Sequence, residues 1–284
     1  MDPSEKTRAI EDAGATCRKQ PNPLFIQTAT PRALPPTCLV VPCYDEGNRL
    51  PVEEMGRFLA DYPEFRFCLV NDASRDHSLQ VMNDLQKKWP GRITILDLGE
   101  NLGKGGAVRQ GILGALENDS IEFVGYWDAD LATPLAEAVT FLQIFAENPG
   151  FEMLCGCRLS RLGAHVHRRW WRHYPGRAFA TGASLTLGIP VYDSQCGAKL
   201  LRSSLAREIF AQPFVSKWAF DVELIARVIV RRGAQAAGEV ILEVPLNYWT
   251  HVGGSKLTMR HALRAFWDLV RIHRAYFGAE RPGR

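Results

Sequence analysis

Two aspartates, Asp128 and Asp130, stand one residue apart in the stretch GYWDADLATP, at the end of an apolar run. Carboxylate oxygens are the ligands that hard divalent cations such as Mg²⁺ prefer. The pair therefore allows two interpretations. It is either the solvated polar end of a strand or a site that holds a positively charged ligand.

Three other polar segments also follow apolar runs. Ligands of an open parallel sheet bind outside the carboxyl ends of the strands, so we expect these segments to converge. Carboxylates would hold a divalent cation, while a lysine and the N–H groups of a helix start would bind anionic oxygens. Together they suit a metal-bridged phosphate. The segments are Tyr44-Asp45-Glu46, Asn71-Asp72 and the glycine-rich NLGKGG at 101–106, which contains Lys104.

The common phosphate-binding motifs are absent from the sequence. G-x-x-x-x-G-K-[ST] fails because the spacing from Gly99 to Lys104 is wrong and Gly105 follows the lysine. No G-x-G-x-x-G follows the first apolar run, which argues against a dinucleotide-binding site. A sugar nucleotidyltransferase would have a glycine-rich loop at the same place, and VVPCYDEGNRLP does not supply one.

The elements that must position these residues alternate from Cys38 to Arg158. Apolar runs separated by helical periods predict a mostly parallel sheet with helices on both faces. Beyond Arg158 the sequence predicts helices near 204–211 and 218–232 and a strand at 240–249. The earlier predicted strands are 38–44, 65–72, 93–98, 123–130 and 151–158, and the predicted helices are 52–61, 77–89, 104–118 and 134–147.

The composition is that of a globular α/β protein. The 284 residues are 46% hydrophobic and 23% charged, which suits one large domain or one domain with an elaborated end. The seven cysteines lack regular spacing and do not suggest a disulfide framework, so we expect a reduced, cytoplasmic compartment. We interpret residues 1–37 as a flexible arm without a secretory signal, and we expect no transmembrane helix.

Basic charge is concentrated in two segments. The formal net charge is only +3, yet residues 153–192 contain six arginines and no acid. Residues 259–284 combine apolar residues at helical spacing with arginines, which predicts a basic amphipathic helix. Positive charge concentrated in this way favours an anionic partner.

The segment RRWWRHYPGR, residues 168–177, interleaves arginines with aromatic residues. It allows three interpretations: a solvated basic loop, a nucleic-acid site or a membrane interface. We favour the membrane interface, because the basic C-terminal helix would add a second weak membrane contact and nothing else supports nucleic-acid binding. The residues assigned to the membrane are Arg168, Arg169, Trp170, Trp171 and Arg172.

Seven blocks occur in order: VVPCYDEGNRLP, LVNDASRD, NLGKGGAVRQGI, YWDADLATP, DSQCGAKLLR, WAFDVELI and VGGSKLT. Together they resemble the family-2 inverting glycosyltransferases, and within these the dolichyl-phosphate β-glucosyltransferases and related polyprenyl-phosphate hexosyltransferases. The resemblance covers roughly residues 38–275. It implies an α/β fold of the GT-A type over residues 38–258, with 158–190 as a basic aromatic insertion facing the acceptor or the membrane. Residues 259–284 would form a C-terminal helix and tail.

The resemblance also implies roles for particular residues. Asp128 and Asp130 match the D-x-D that holds Mg²⁺ or Mn²⁺ on the donor diphosphate. The residues matched to the nucleotide pocket are Pro42, Tyr44, Glu46, Asp72 and Lys104, with Asp72 at the base. Those matched to the acceptor and phosphates are Gln195, Lys199, Arg202, Ser255 and Lys256, the last two in a loop that closes over phosphate.

The implied activity is metal-dependent transfer of a hexose to a polyprenyl phosphate. Ala132 stands where mannose-transferring relatives often have a polar residue, which favours glucose from UDP-glucose. A lipid phosphate is an ionised nucleophile, whereas a hydroxyl acceptor needs a base, for which Asp221 and Glu223 are candidates. The residues expected to be catalytic are Asp130, Asp221, Arg202 and Lys256.

Two alternative functions stay open at this point. The same donor site could serve a soluble or polysaccharide hydroxyl acceptor, or the chain could be a non-catalytic protein that binds a sugar nucleotide or a lipid phosphate. The partners expected are a nucleotide-sugar, a polyprenyl phosphate and the cytoplasmic face of a membrane, and not nucleic acid.

Overall fold

The computed structural model describes residues 33–159, 161–163, 165–167, 170–250 and 259–278. Within them, strands and helices alternate as predicted as far as the fifth strand. The strands are β1 (Thr37–Cys43), β2 (Phe65–Asn71), β3 (Ile93–Asp97), β4 (Phe123–Trp127), β5 (Met153–Cys157), β6 (His165–His167), β7 (Ala198–Arg202), β8 (Ile241–Pro245) and β9 (Tyr248–Thr250). The helices are α1 (Val52–Asp61), α2 (Ser78–Lys88), α3 (Gly103–Ala115), α4 (Ala136–Glu147), α5 (Trp170–Leu187), α6 (Ser203–Phe210), α7 (Phe220–Arg232), α8 (Ala234–Val240) and α9 (Met259–Phe277).

Seven of these strands form one sheet in the order β3-β2-β1-β4-β7-β5-β8. Neighbouring strands are parallel, except that β7 runs antiparallel to both β4 and β5. The predicted mostly parallel sheet flanked by helices is confirmed. Because β1, β2 and β4 point the same way, the residues that follow them lie at one edge, which we call the carboxyl edge.

Strands β1, β2 and β4 are buried along almost their whole length, as expected for a sheet covered on both faces. Pro42 is tolerated beside β4, because the pairing of β1 with β4 ends at Val40 and needs no N–H from the proline. Gly125 allows β4 to approach β7 closely, since a Cβ atom there would overlap the carbonyl oxygen of Lys199. These local features keep the centre of the sheet intact up to the carboxyl edge.

Helix α5 occupies residues 170–187, where the sequence predicts no regular element. The segment contains glycines, β-branched residues and aromatic residues, which are weak helix formers, and it lacks a clear amphipathic period. Phe179, Ala183 and Leu187, four residues apart, are all buried. Packing against α7 and α9 therefore stabilises a helix that its local propensity does not indicate.

The single strand predicted at 240–249 is divided in the structure. β8 stays in the main sheet beside β5, whereas β9 pairs with β6 in a separate two-stranded sheet. Between them, the N–H group of Asn247 donates to the carboxylate of Glu137 (3.4 Å). The backbone donor that follows β8 thus has a side-chain acceptor in place of a strand partner.

Candidate active site

The carboxyl edge contains three non-glycine residues in the left-handed backbone conformation. Asp45, Ala73 and Leu131 have φ angles of 55°, 55° and 46°, and they follow β1, β2 and β4 respectively. This conformation costs roughly 1–3 kcal/mol per residue and is concentrated at ligand-binding sites in proteins. The chain thus turns sharply after each of the three strands whose ends were predicted to bind a ligand.

Asp128 lies between α3 and the segment that precedes β7. Its carboxylate contacts the ammonium of Lys104 (Oδ1 to Nζ, 2.5 Å), and its N–H donates to the carbonyl of Gly197 (2.9 Å). The two charged side chains are 40% and 37% exposed. Burial disfavours the charged ammonium, but the Asp128 carboxylate outweighs it and raises the pKa of Lys104. This ion pair is therefore charged and within reach of a ligand.

Asp130 and Glu46 bring further carboxylates to this place. The carboxylate of Asp130 accepts the N–H of Ala132 (3.1 Å), and burial together with the charge of Asp128 raises the pKa of Asp130. Burial also raises the pKa of Glu46, with Arg49 opposing and Asp130 adding to the rise. Glu46 bonds to Arg49 (2.8 Å), yet its Oε2 is buried without a hydrogen-bond partner among the described residues.

The carboxylates fit a divalent cation that binds together with a ligand. Burial, together with repulsion between the carboxylates, raises the pKa values of Asp130 and Glu46, and Oε2 of Glu46 has no hydrogen-bond partner among the described residues, so a bound cation would stabilise both charges. Among the described residues, no group of three or more His, Cys, Asp or Glu side chains could by itself hold a metal ion. Mg²⁺ commonly binds one or two carboxylates plus phosphates of the substrate and water. Asp128 and Asp130 suit that mode of binding.

Asp72 organises the start of α3. It is 3% exposed, and its Oδ1 accepts the N–H of Leu102 (2.7 Å), while its main-chain carbonyl accepts the side-chain amide of Asn101 (3.0 Å). Burial raises the pKa of Asp72, against the effect of the N–H groups of Leu102 and Gly103. Because Lys104 follows directly, Asp72 sets the position of the lysine that pairs with Asp128.

The loops after β1 and β2 are tied together beside the exposed ring of Tyr44. The N–H of Asp45 donates to the hydroxyl of Ser74 (3.1 Å), and the N–H of Glu46 donates to that of Ser78 (2.7 Å). Tyr44 is 40% exposed, whereas Pro42 lies within β1. Among the predicted nucleoside contacts Pro42, Tyr44 and Glu46, Tyr44 is thus the one with an exposed aromatic side chain.

Lys199 and Asp221 form a buried ion pair behind the carboxyl edge. The ammonium of Lys199, which is 0% exposed, donates to the carbonyls of Ser194 (2.9 Å) and Cys196 (2.8 Å) and to Asp221 (2.5 Å). The hydroxyl of Tyr126 also donates to Asp221, and burial together with this carboxylate raises the pKa of Tyr126. The structure does not place Lys199 or Asp221 where an acceptor could touch it.

Glu223, the other candidate base, is fully buried in a different set of hydrogen bonds. Its carboxylate accepts the N–H groups of Val215 and Ser216 (both 3.0 Å), the guanidinium of Arg227 (2.7 Å) and the hydroxyl of Tyr276 (2.7 Å). These bonds join α7 to the preceding loop and to α9. The geometry gives Glu223 a structural role.

Comparison with known proteins identifies the family. The sequence profile named glycosyl transferase family 2 matches residues 38–210, more than half of the chain. The chain belongs to this family. Among its relatives are the dolichyl-phosphate β-glucosyltransferases of Drosophila melanogaster, 32% identical over 84% of this chain and 72% of that protein, and of Mus musculus, 31% identical over 82% and 71%. The predicted resemblance is confirmed, and the chain is a glycosyltransferase.

The fold of this glycosyltransferase is also found in solved structures. Glucosyl-3-phosphoglycerate synthase from Mycobacterium tuberculosis, solved in complex with Mn²⁺, UDP-glucose and glycerol 3-phosphate, superposes with a TM-score of 0.61. The two chains are 16% identical, and the match covers 87% of this chain and 82% of the synthase. The predicted GT-A fold is confirmed.

Arg202 of the glycosyltransferase lies at the edge of the sheet opposite Asp128, which corrects its predicted place beside the acceptor. Because β7 is antiparallel to β4, its last residue, Arg202, pairs with the first residue of β4, Phe123. The guanidinium donates to the carbonyl of Phe151 (2.8 Å) and stacks on the rings of Phe123 and Phe145 (5.2 and 5.4 Å). The order of sequence blocks does not reveal the direction of a strand.

Gln195 lines a small cleft, with a cavity volume of about 30 Å³, between α5 and the segment before β7. Arg158, Arg177 and Ser194 line the same cleft. Arg158 forms a double ion pair with Asp193 (2.7 Å from both Nε and Nη2), and this carboxylate, against the effect of burial, raises the pKa of Arg158. Arg158 is not among the predicted site residues, although it ends a predicted strand, as Asp72 and Asp130 do.

The structure describes no side chains for seven of the predicted site and membrane residues. Predictions for four residues lie outside the described residues: Ser255, Lys256, Arg168 and Arg169. Trp170, Trp171 and Arg172 begin α5, but only their backbone is described. Within the described part of the chain, none of the helices has the length and apolar character needed to span a bilayer.

Proposed function

We propose that this glycosyltransferase transfers glucose from UDP-glucose to a dolichyl or other polyprenyl phosphate. The observation that carries the proposal is the convergence of Asp128, Asp130 and Lys104 at the carboxyl edge, where a nucleotide diphosphate and its metal would bind. The names of the relatives support both the lipid-phosphate acceptor and glucose.

The donor nucleotide would bind across the ends of β1, β2 and β4. The exposed ring of Tyr44 offers a stacking face to the base, with Glu46 and the loop held by Asp72 beside it. Lys104 stands at the N-terminus of α3, where the helix dipole and the ammonium both attract the diphosphate. The UDP-glucose in the structurally similar synthase supports this donor.

Asp128 and Asp130 would hold Mg²⁺ or Mn²⁺ on the diphosphate. When bound, such an ion stabilises the negative charge of the departing nucleotide as a Lewis acid. The Mn²⁺ and Mg²⁺ complexes of the similar synthase support this assignment. Lys104 would bind a phosphate oxygen beside the ion. The side chain of Ala132 has no ligand atom, so any further metal ligand from the protein would have to come from another residue.

A phosphate acceptor agrees with the positions of the candidate bases. Asp221 and Glu223 are 3% and 0% exposed, so neither can take a proton from an acceptor hydroxyl without rearrangement. A polyprenyl phosphate is already ionised and requires positioning rather than deprotonation. In the cleft that Gln195 lines, Arg177 would supply positive charge for that phosphate, while Arg158 is paired with Asp193. We therefore favour the lipid phosphate over a hydroxyl acceptor.

The outer face of α9 supports a peripheral contact with an anionic membrane surface. Phe266, Trp267 and Val270 are 42%, 67% and 40% exposed, and Arg271 and Arg274 are exposed beside them. Interfacial helices present such an apolar strip with flanking arginines to anionic lipid. Trp267→Ala should lower binding to vesicles that contain phosphatidylserine, whereas Trp89→Ala at the end of α2 should not. Equal binding by both variants and the wild type would contradict this contact.

A transfer assay tests the proposed function directly. Purified protein is incubated with Mn²⁺, a polyprenyl phosphate and either labelled UDP-glucose or labelled GDP-mannose. We expect an acid-labile, lipid-extractable product from UDP-glucose only. Product from GDP-mannose alone would contradict the donor, and label found only on soluble hydroxyl compounds would contradict the acceptor. Binding of UDP-glucose without transfer to either would favour a non-catalytic role.

A further inference from the structure

The backbone of residues 194–197, which precede β7, fixes the position of Asp128. The N–H of Asp128 donates to the carbonyl of Gly197 (2.9 Å). The Cα atom of Gly197 also lies so close to the Asp128 carboxylate that a Cβ atom there would overlap it. A shift of the 194–197 segment would therefore displace the carboxylate assigned to the metal.

Lys199 holds the 194–197 segment from inside the protein. Its ammonium donates to the carbonyls of Ser194 (2.9 Å) and Cys196 (2.8 Å) and to the carboxylate of Asp221 (2.5 Å). An ammonium has three N–H donors, so all of them are used. Asp221 thus neutralises the buried lysine that bonds two carbonyls of this segment.

Tyr126 connects this buried pair to the strand that carries Asp128. It pairs with Lys199 across β4 and β7, and its hydroxyl donates to Asp221. The ring of Tyr126 also packs against Phe220 at the start of α7. The same buried carboxylate therefore contacts both the strand before Asp128 and the lysine that holds the segment beside it.

We infer that Lys199 and Asp221 are positioning residues for the metal-binding carboxylate of Asp128. They hold residues 194–197, and Gly197 in turn holds Asp128. The inference rests on the proposed function in one respect, namely that Asp128 binds the metal. Both residues act on Asp128 through the backbone of residues 194–197, so their loss should change metal binding before it changes nucleotide binding.

Asp221→Asn tests the inference, because it removes the charge that balances Lys199 and keeps the shape of the side chain. Residues that orient metal ligands typically alter metal affinity about 10–100-fold when they are replaced. We expect the Mn²⁺ concentration for half-maximal glucose transfer to rise about tenfold or more. Mn²⁺ binding in the presence of UDP, followed by electron paramagnetic resonance, should weaken by a similar factor. UDP binding measured without metal should stay unchanged.

Glu223→Gln is the matched control. Glu223 is on the same helix, is equally enclosed and pairs with Arg227 (2.7 Å), but its bonds go to the loop before α7 and to α9. This variant should lower the melting temperature and leave the Mn²⁺ dependence within about twofold of the wild type. If both variants alter the Mn²⁺ dependence alike, or if neither does, the inference is wrong.

Two further variants keep the test open if Asp221→Asn does not fold. Tyr126→Phe removes only the hydroxyl that Asp221 accepts, and Gly197→Ala crowds the Asp128 carboxylate directly. Both should raise the Mn²⁺ requirement. Asp128→Asn separates the two possible failures. If it leaves the Mn²⁺ requirement unchanged, the proposed metal site is wrong; if it alone has an effect, only the positioning role is wrong.

Discussion

Two lysine–aspartate ion pairs have the same N–O distance, one at the carboxyl edge and the other behind it. Lys104 and Asp128 are joined at 2.5 Å with side chains 37% and 40% exposed, and Lys199 and Asp221 are joined at 2.5 Å with side chains 0% and 4% exposed. The first pair can exchange its partner for a ligand, because water already reaches both groups. The second cannot, because separating it would leave a charge in a dry interior.

The difference shows that burial, and not residue type, distinguishes the groups proposed to bind the ligand from those proposed to support them. Both lysines lie in blocks that resemble the family, and both were predicted to approach phosphate. The exposed pair is at the start of α3, where anions bind, whereas the buried pair joins β7 to α7. The four predictions that follow separate the two roles, beginning with the largest expected effect.

Removing a carboxylate from the exposed side should affect activity far more than stability. Asp130→Ala should lower kcat by at least about a hundredfold, since a metal supplies several kcal/mol of charge stabilisation in a transition state. The melting temperature should stay the same or rise, because burial, together with repulsion from Asp128, raises the pKa of Asp130 in the folded protein. Steady-state kinetics and calorimetry measure the two effects. Transfer at the wild-type rate would exclude Asp130 as a metal ligand.

Removing the lysine of the buried pair should have a large effect on stability. Lys199→Met leaves Asp221 without its cation, and breaking a buried pair in this way costs about 3–5 kcal/mol of unfolding free energy. Urea denaturation followed by circular dichroism measures the loss. A loss of unfolding free energy below about 1 kcal/mol would be typical of an exposed ion pair. It would contradict the distinction between the two pairs.

The labelling rate of the Cys196 thiol shows whether the loss of stability in Lys199→Met is local. Burial raises the pKa of Cys196 to about 11 and that of Cys68, in the centre of β2, to about 12. At pH 8 both thiols should react very slowly with iodoacetamide, because only the thiolate is nucleophilic. Lys199→Met should speed labelling of Cys196 about tenfold more than that of Cys68, as read by mass spectrometry of the peptides. Equal acceleration of both cysteines would indicate global unfolding instead.

The smallest effect on stability is expected at the lysine of the exposed pair. Lys104→Met should change the unfolding free energy by no more than about 1 kcal/mol, as is usual for exposed ion pairs. It should nevertheless weaken UDP binding several-fold, because an ammonium at a helix start is lost. Calorimetric titration with UDP and urea denaturation are the two measurements. A stability loss equal to that of Lys199→Met would contradict the distinction between the two pairs.

Local patterns were sufficient to predict the half of the fold that carries the proposed donor site. Apolar runs of strand length and helical periods between them place β1 to β5 and α1 to α4 to within a few residues, with α1 at 52–61 as predicted. The convergence of Asp128, Asp130 and Lys104 follows from strand direction in a parallel sheet. Here a single rule connects the sequence with the site.

The other half depends on tertiary contacts that no local pattern encodes. Helix α5 is stabilised by α7 and α9 and not by its own residues, so its period is weak. The reversed direction of β7 moves Arg202 to the far edge and places residues 194–197 beside Asp128. The burial of Lys199 and Asp221 also depends on β7, because Lys199 lies in that strand. The solvent exposure of a charged group depends on the whole fold, so it cannot be predicted from the sequence blocks alone.

Strand β7 also has a consequence for the order in which the chain acquires its structure. In the sheet it stands between β4 and β5, and these two strands have no pairing with each other. During synthesis, β1 to β4 can associate early, but β5 must wait until β7 has emerged from the ribosome and joined the two parts. The same insertion brings Gly197 to Asp128. The nascent chain therefore completes the edge proposed to bind the metal only when its sheet becomes continuous.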